Sequence, residues 1–527
     1  MSGWSGERRW VLGFALFLVL LTSLPYILAY AHPGASESFT GFLIGVEDGN
    51  SYIAKMRAGV EGDWLFRSPY TAAEQSGVLL YLPYLVLGKV AGSMPSHLSL
   101  VFFFHLFRII SIVALTFSTY KFVAYFLETI NNRRLALALA TLGGGLGWLL
   151  LAFGKSHWYG SLPLDFYSPE TFGFLALFTL PHLVLARALM LWALLSYLKT
   201  GDQPPNARIA ALWLALSFVH LLAAFSGLVV LALHLIASHF WRSSNSALHL
   251  ARHRRHALWA AAGAAPVALI NLWLFTKDPY LQQWAAQNQI FSPHPFHYII
   301  AYGLFIPFAF LGARYLLRAH PQRSLLLASW LLAMPFLLYL PFGLQRRMSD
   351  GAWVALVILA LAAFEKPGWL SQRHLRWLLM FAFPSTLILL WGSAQVARAA
   401  EPPAFRTQSE VAVFASLAKT IEPNALVLAS FETSNALPAW ALVRVLIGHG
   451  PESIGLATIE PRVAAFYETA TLDSERIAFI KEFSIQYIFF GPNERKFGDP
   501  DLVSLPGISL FERSGDYAIY QVTPAIP

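Results

Sequence analysis

The residues best suited to chemistry lie in the polar stretch 41–77, which separates two strongly apolar regions. Two adjacent carboxylates, Glu47 and Asp48, stand near its start. A carboxylate at a membrane face can act as a general base that takes a proton from a hydroxyl or an amine. We choose Asp48 as the base and give Glu47 a supporting role, because Gly49 permits an unusual backbone conformation that leaves the Asp48 carboxylate accessible. From the residues alone, Asp48 could equally cap a helix that starts near Ser51 or form a solvated turn.

A second candidate is the arginine pair Arg346 and Arg347, the one dense basic pair that the predicted topology places outside the membrane. Planar guanidinium groups bind phosphate oxygens in a bidentate manner. The pair is therefore interpreted as a clamp for a lipid phosphate. The alternative is an interfacial pair that snorkels or forms a salt bridge with Asp350. Weaker candidates for the same role are Arg57, Arg108 and Lys277.

Histidines and acids outside the polar stretch raise the question of a metal. The predicted external loop 154–170 contains His157, Asp165 and Glu170, which are candidate ligands without a recognised ligand spacing. No cofactor is certain from the sequence, and a divalent metal stays open. His182 lies near the middle of an apolar segment, where it could line a substrate groove or make a buried structural hydrogen bond.

Composition sets the class of protein that must position these residues. Of 527 residues, 56% are hydrophobic, 15% aromatic and 13% charged. This composition is typical of a polytopic membrane protein and excludes an ordinary soluble domain. The net charge of +8 comes from short basic clusters between apolar runs, a pattern that argues against nucleic-acid binding. With no cysteine, disulfides, zinc–thiolate sites and thiol catalysis are excluded.

We predict about eleven membrane spans from the apolar runs. The first follows Arg8 and Arg9, and we interpret it as an uncleaved anchor, although its end resembles a signal-peptide cleavage site. The predicted spans are 10–31, 98–127, 135–153, 171–198, 208–222, 223–240, 257–275, 298–317, 324–340, 352–364 and 375–395.

The charge distribution predicts which side each loop faces. The segment 78–92 is only about 15 residues long, too short to be a clear span. If it does not span, every basic linker falls on the cytoplasmic side, as the positive-inside bias requires. The polar stretch and the carboxy-terminal region then lie outside the cytoplasmic membrane. The transmembrane domain would comprise 1–397, including an external loop 33–97 with juxtamembrane helices.

Residues 398–527 are predicted to form a small extracytoplasmic α/β domain. Short apolar strands alternate there with polar helical stretches. The predicted strands are 425–429, 444–448, 487–490, 508–512 and 517–522, and the predicted helices are 409–420 and 473–483. The expected fold class is therefore mainly α, with a small α/β domain at the carboxy terminus.

The run DGNSYIAKMR from Asp48, with the later Gly-Asp-Trp at 62–64 and Pro69, resembles the first external loop of GT-C membrane glycosyltransferases. The similarity is to the protein-mannosyltransferase and aminoarabinose-transferase kind. Asp48 and Tyr52 keep the spacing of the aspartate and tyrosine in that family's motif, while Gly49 stands where a second acid is usual.

The resemblance implies an enzyme, an inverting GT-C glycosyltransferase. Its donor would be a polyprenyl-phosphate-linked sugar, and its acceptor an unidentified glycan, lipid or protein at the outer face. Asp48 and Glu47 would be catalytic, and Tyr52, Arg57, Arg108, His182, Lys277, Arg346 and Arg347 would bind substrate. The alternative is a transporter or flippase for a lipid-linked or anionic solute, although the related halves of such proteins are not found in the sequence.

Overall fold

The structure is a computed structural model that describes residues 2–32, 34, 36–93, 95–200, 206–241 and 246–523. Residues 33, 35 and 94 of the predicted external loop and 524–527 of the predicted carboxy-terminal domain lie outside these ranges. The chain is mainly helical, as expected. The helices of its first half are α1 (Ser2–Ala31), α2 (Val46–Val60), α3 (Leu82–Val90), α4 (His97–Val123), α5 (Ile130–Leu142), α6 (Gly147–Ala152), α7 (Leu164–Tyr167), α8 (Phe174–Thr179), α9 (Pro181–Leu198), α10 (Ala207–Val219), α11 (Leu221–Phe240) and α12 (Ser246–Lys277).

The second half adds helices and most of the strands. The helices are α13 (Pro279–Gln287), α14 (Phe296–Tyr302), α15 (Ile306–Ala319), α16 (Pro321–Leu337), α17 (Ala352–Ala362), α18 (Gln372–Ala382), α19 (Pro384–Ala399), α20 (Gln408–Thr420), α21 (Phe431–Trp440), α22 (Leu456–Tyr467), α23 (Asp473–Phe483) and α24 (Pro492–Arg495). The strands are β1 (Glu37–Phe39), β2 (Phe405–Thr407), β3 (Ala425–Leu428), β4 (Val443–Val445), β5 (Tyr487–Phe490), β6 (Ile508–Ser514) and β7 (Tyr517–Val522).

The chain divides into two compact units. The membrane unit comprises 1–24, 106–271 and 289–393, and the loop unit comprises 25–105, 272–288 and 394–527. The polar stretch 41–77 thus belongs to the same compact unit as the carboxy-terminal α/β region.

Long apolar helices confirm a membrane protein. Among the described residues, six helices are long and apolar enough to cross a membrane. A pair bent by 67°, α14 with α15, would add a seventh. Each predicted span coincides with helical structure, but several are divided or short. The total of eleven therefore stays a prediction.

The division of the predicted span 135–153 has a clear physical cause. Three glycines follow α5, and a Cβ at Gly145 would lie 2.3 Å from the carbonyl oxygen of Ala301. The break frees backbone N–H groups, which in a membrane protein must find partners inside the protein. Gly144 donates to the carbonyl of Ala382 at 2.7 Å, and Gly145 donates to Asp165 at 2.7 Å. Close backbone packing therefore replaces the helical hydrogen bonds.

The loop unit contains a five-stranded mixed sheet in the order β4-β3-β5-β7-β6. β3 pairs in parallel with β4 and β5, while β7 runs antiparallel to β5 and β6. Buried apolar side chains cover both faces of the sheet. The predicted strands and the two predicted helices are confirmed within a few residues, whereas α21 and α22 were missed.

Helix α2 lies against α3 in the loop unit, and glycines allow the close approach. A Cβ at Gly88 would lie 1.8 Å from the carbonyl oxygen of Met56, and one at Gly59 would lie 2.1 Å from that of Leu85. Only glycine fits at these two crossing points. The packing fixes α2, which carries the candidate carboxylates.

The predicted sidedness can be tested by cysteine labelling, since the chain has no cysteine of its own. We expect Glu61→Cys and Ser474→Cys to react with an impermeant maleimide in intact cells, because both positions are exposed and predicted to lie outside. Gln372→Cys is also exposed but should react only after permeabilisation. If position 372 alone is labelled in intact cells, the predicted sidedness is wrong.

Candidate functional site

The first turn of α2 presents the two candidate carboxylates. The helix begins at Val46, after Gly45 in the left-handed conformation with φ 63°. Glu47 and Asp48 lie in the first turn, where the helix dipole favours negative charge. The helix thus starts before Ser51, and the alternative of Asp48 as a residue preceding the helix is wrong.

The reason given for Gly49 is also wrong. Gly49 lies inside α2 with ordinary helical geometry and is absent from the glycines with positive φ among the described residues. A Cβ there would lie 2.4 Å from the ring of Phe42. Glycine is needed at this position for close packing, which lets α2 approach Phe42.

Asp48 is accessible and has a histidine behind it. Its side chain is 54% exposed, and its Oδ1 lies 3.2 Å from Nε2 of His449, which is only 9% exposed. With a proton on Nε2, His449 donates to Asp48 and fixes one carboxylate oxygen. Glu47 is engaged differently, because its Oε1 accepts the backbone N–H of Gly450 at 2.8 Å.

A buried ion pair lies behind the histidine. Nζ of Lys55 is 2.7 Å from Oε1 of Glu452, and the side chains are 1% and 2% exposed. Oε1 of Glu452 also lies 3.7 Å from Nδ1 of His449. Alternating charge therefore runs from Asp48 at the surface through His449 and Glu452 to Lys55. We call these four residues the Asp48 cluster.

Hydroxyl groups complete the coordination of the buried carboxylate. Ser51 donates to Oε1 of Glu452 at 3.2 Å and Ser68 donates to Oε2 at 3.1 Å. Lys55 donates to the Ser51 hydroxyl as well. Its ammonium group also faces aromatic rings, 4.4 Å from Tyr81 and 4.7 Å from Phe66. A buried charge is tolerated when it is paired and hydrogen-bonded in this way.

The cluster sets the charge of its members. Burial alone would lower the pKa of His449, but the carboxylates of Glu452 and Asp48 outweigh burial and raise that pKa above its ordinary value. Burial would raise the pKa of Glu452, yet Lys55 and His449 hold it below the usual range. Glu452 is therefore an anion at neutral pH, and it favours the cationic form of His449.

A tight turn places His449 and Glu452. The residues Gly450–Glu452 form a 3-10 turn between β4 and α22. The hydroxyl of Ser453 accepts the backbone N–H groups of Gly448 and His449 at 3.0 and 3.1 Å. Asn435 of α21 donates to the carbonyl of Gly448 at 2.8 Å. These bonds fix the orientation of the histidine toward α2.

The other predicted residues of the loop unit have separate surroundings. Tyr52 is 8% exposed and stacks on Tyr84 with ring centroids 4.5 Å apart. Nε of Arg57 donates to the carbonyl of Ala439 at 2.7 Å. Lys277 is exposed at the end of α12. The Tyr52 ring also lies 5.6 Å from Nζ of Lys55 in the Asp48 cluster. The roles of all three residues in substrate binding stay predictions.

The predicted phosphate clamp lies in the membrane unit. Residues Gln345–Ser349 form a 3-10 turn after α16. The guanidinium of Arg346 lies 4.8 Å from the centroid of the Tyr167 ring, and Nε of Arg347 lies 3.5 Å from Oε1 of Glu170. Within the described chain, Nε of neither arginine makes a hydrogen bond. Both Nε atoms are buried, and that of Arg347 faces Glu170.

Asp350, which we considered as a partner for the arginine pair, instead binds Arg187 of α9. Nε of Arg187 donates to Oδ1 of Asp350 at 2.7 Å. The same guanidinium donates to the carbonyls of Pro169 and Phe172 at 3.0 and 3.3 Å. This buried pair was not found from the sequence, and it anchors the loop that carries Glu170.

The three candidate metal ligands differ in exposure. His157 is exposed, whereas Asp165 and Glu170 are each 4% exposed. Asp165 accepts from the Ser385 hydroxyl at 2.7 Å as well as from Gly145. Among the residues that the structure describes, no group of three or more histidine, aspartate or glutamate side chains could hold a metal ion. Oδ1 of Asp165 supports the helix break, while its buried Oδ2 makes no hydrogen bond within the described residues. The metal role of the three residues stays a prediction.

Two buried cationic candidates also have protein surroundings. Arg108 is 2% exposed and donates to the hydroxyls of Thr22 and Ser23, both at 2.9 Å. The ring of His182 lies 5.8 Å from that of His220. Arg108 thus ties α4 to α1, and the substrate-binding role of both residues stays a prediction.

Similarity to solved structures identifies the fold of this chain. Neither sequence profiles of protein families nor characterised protein sequences match the chain. Its structure is similar to that of the Archaeoglobus fulgidus oligosaccharyltransferase, at 14% identity and a TM-score of 0.51, covering 98% of this chain and 75% of that chain. It is also similar to the mycobacterial arabinofuranosyltransferase AftD, at 14% identity and a TM-score of 0.55.

The match to AftD covers 98% of this chain, which spans 40% of the AftD chain. The Archaeoglobus enzyme also matches in a form tethered to an acceptor peptide, again at 14% identity and a TM-score of 0.51, covering 99% and 75% of the two chains. The protein has the GT-C membrane fold. The predicted resemblance is thereby confirmed at the level of fold, and the chain is an integral membrane protein.

Within the GT-C fold, the sequence indicated Asp48 but not its partners. His449 and Glu452 lie about 400 positions further along the chain, in the segment HGPE that carries no known motif. The only local signal was a lone histidine and a lone acid next to a glycine and a proline. Their role depends on the packing of α2 against the carboxy-terminal region.

The buried pair predicts a large loss of stability for Glu452→Gln. The substitution would leave the Lys55 ammonium uncompensated, which typically costs about 3–5 kcal/mol. The exposed pair of Arg462 and Glu482, 45% and 50% accessible, provides the control, because breaking a surface pair costs about 0–1 kcal/mol. Thermal unfolding of detergent-purified Glu452→Gln and Glu482→Gln should separate the two. Equal midpoints would contradict a structural role for the buried pair.

Proposed function

We propose that this protein transfers a sugar from a polyprenyl-phosphate-linked donor to an acceptor at the outer face of the cytoplasmic membrane. The observation that carries the proposal is the exposed Asp48 carboxylate, held by buried His449 in a chain with the GT-C fold. The fold supports a transferase over the transporter alternative. The acceptor is a glycan, a lipid or a protein, and the carboxy-terminal region lies on the same outer side.

The chemistry assigns the base to Asp48. Its carboxylate takes the proton of an acceptor hydroxyl or amine as the acceptor atom attacks the anomeric carbon. The bond from that carbon to the phosphate oxygen breaks, and the polyprenyl phosphate leaves with the electron pair. Direct displacement of this kind inverts the anomeric configuration. His449 positions the base and does not touch the substrate.

Glu47 suits a supporting role. Its carboxylate already accepts a hydrogen bond from Gly450, which ties α2 to the turn that carries His449. Glu47 and Asp48 are both exposed, so their hydrogen-bond partners are what distinguishes them. Glu47 accepts a backbone N–H, whereas Asp48 lies next to the His449 side chain. This difference supports Asp48 as the residue that reacts.

Arg346 and Arg347 are proposed to bind the phosphate of the donor. Their planar guanidinium groups support this assignment, because charge-assisted hydrogen bonds to phosphate are strong. Glu170 near Arg347 would hold that side chain in place until a phosphate replaces or joins it. Stabilising the leaving phosphate lowers the barrier to transfer.

Replacing Asp48 should abolish most of the turnover. Asp48→Asn keeps the size of the side chain but removes the base, and general-base catalysis contributes about 10²- to 10⁴-fold. Glu47→Gln should cause a smaller loss. Transfer of radiolabelled sugar from a panel of polyprenyl-phosphate donors to membrane acceptors would measure both.

His449→Gln serves as the positioning control for the same assay. We expect an intermediate loss of turnover with unchanged donor KM, and a change in the pH dependence of turnover, because the histidine no longer titrates beside Asp48. If Asp48→Asn retains transfer while Glu47→Gln loses it, the base is Glu47. If both retain transfer, Asp48 and Glu47 are not catalytic, and Asp165 and Glu170 are the next to test.

Arg346→Ala and Arg347→Ala should raise the donor KM. Loss of a charge-assisted hydrogen bond costs about 1.5–3 kcal/mol, which corresponds to about 10- to 150-fold in affinity. Lysine at either position should restore binding only in part, because an ammonium group cannot bind phosphate in a bidentate manner. Unchanged donor kinetics in a folded double alanine variant would show that Arg346 and Arg347 do not bind the donor phosphate.

A further inference from the structure

An apolar groove in the membrane unit has no part in the proposed reaction. Its volume is about 770 Å³, and its lining comes mainly from α14, α15, α16 and α17. Large side chains on its wall are open to the surroundings, including Phe310 at 71% and Leu332 at 75% exposure. A groove of this size and lining suits hydrocarbon, which in a membrane is supplied by lipid chains.

Two arginines give this otherwise apolar groove a positively charged end. Arg314 and Arg318 both line the groove and are exposed. They stand four residues apart on α15, so their side chains share one face of the helix. Within the described residues, neither is paired with a carboxylate. Trp241 also lines the groove, and tryptophan is enriched where a membrane meets water.

The chain path separates this end from the proposed donor site. α15 and α16 are consecutive and joined at His320, so the end of α15 that carries Arg318 meets the start of α16. Tyr298 precedes α15 and Tyr339 follows α16, so along the chain both of these groove-lining residues lie away from the junction at His320. Arg346 and Arg347 also follow α16, so along the chain they lie at the same end of that helix as Tyr339. A phosphate bound by Arg314 and Arg318 is therefore distinct from the donor phosphate.

We propose that the groove binds an anionic phospholipid, with an acyl chain along its apolar wall and the phosphate on Arg314 and Arg318. Guanidinium groups pair with phosphate oxygens. The predicted topology places Arg318 in a cytoplasmic linker and Arg314 one turn earlier, at the cytoplasmic end of the predicted span 298–317. The cytoplasmic leaflet carries the anionic lipids. The phospholipid would cover exposed apolar side chains of α15 and α16 and stabilise their packing. The proposal does not depend on the transferase activity.

Binding can be measured on the purified full chain in neutral detergent, with phosphatidylglycerol as the probe. We expect phosphatidylglycerol to raise the midpoint of thermal unfolding of the wild type, whereas phosphatidylcholine should not. The double variant Arg314→Ala, Arg318→Ala should bind about 30-fold more weakly, since each basic residue near an anionic surface contributes a factor of about five. The matched control is Arg373→Ala, Arg376→Ala, two exposed arginines of α18 outside the groove.

A second variant tests the apolar part without touching the arginines. Ala313→Trp would fill the groove that Ala313 lines and should also remove the stabilisation by phosphatidylglycerol. Equal stabilisation of the wild type and the double alanine variant would overturn the proposal, as would equal stabilisation by phosphatidylcholine. If polyprenyl phosphate alone stabilises the protein through Arg314 and Arg318, the groove belongs to the donor lipid and the phospholipid assignment is wrong.

Discussion

The buried ion pair between Lys55 and Glu452 is the interaction on which the candidate site depends. Two opposite charges that are almost fully buried must stay together, because either one alone would carry a large desolvation cost. The pair joins α2 to the turn after β4, nearly 400 positions apart in sequence. This constraint brings His449 to Asp48. The buried charges of Lys55 and Glu452 therefore determine how the accessible Asp48 carboxylate is held.

Hydrogen bonding has a similar role in the membrane unit. The helix break at Gly143–Leu146 is possible because side chains and carbonyls of other segments accept its N–H groups. Asp165 is one of these acceptors, so an acid that the sequence offered as a candidate metal ligand also supports the backbone here. The pair of Arg187 and Asp350 holds the next loop in the same manner. Buried charge is used for structure at these two places.

The two arginine pairs illustrate how position changes the meaning of the same residue type. Arg346 and Arg347 follow α16 in a short turn, near Tyr167 and Glu170. Arg314 and Arg318 lie on a regular helix beside an apolar groove. The first pair contacts an aromatic ring and a carboxylate, whereas the second is exposed beside apolar side chains. This difference underlies the two separate proposals for them.

The sequence by itself determined the membrane class, the apolar helical segments and the strands of the five-stranded sheet. It also led to Asp48 as the candidate base, which stays a prediction. These features depend on local composition and periodicity, which a single chain segment contains. It could not determine where α2 begins, why Gly49 is glycine, or that His449 and Glu452 stand behind Asp48. Those facts depend on contacts between distant segments, such as Phe42 against Gly49 and Lys55 against Glu452. Only the tertiary structure shows these contacts, because no local sequence pattern indicates which buried charges will pair.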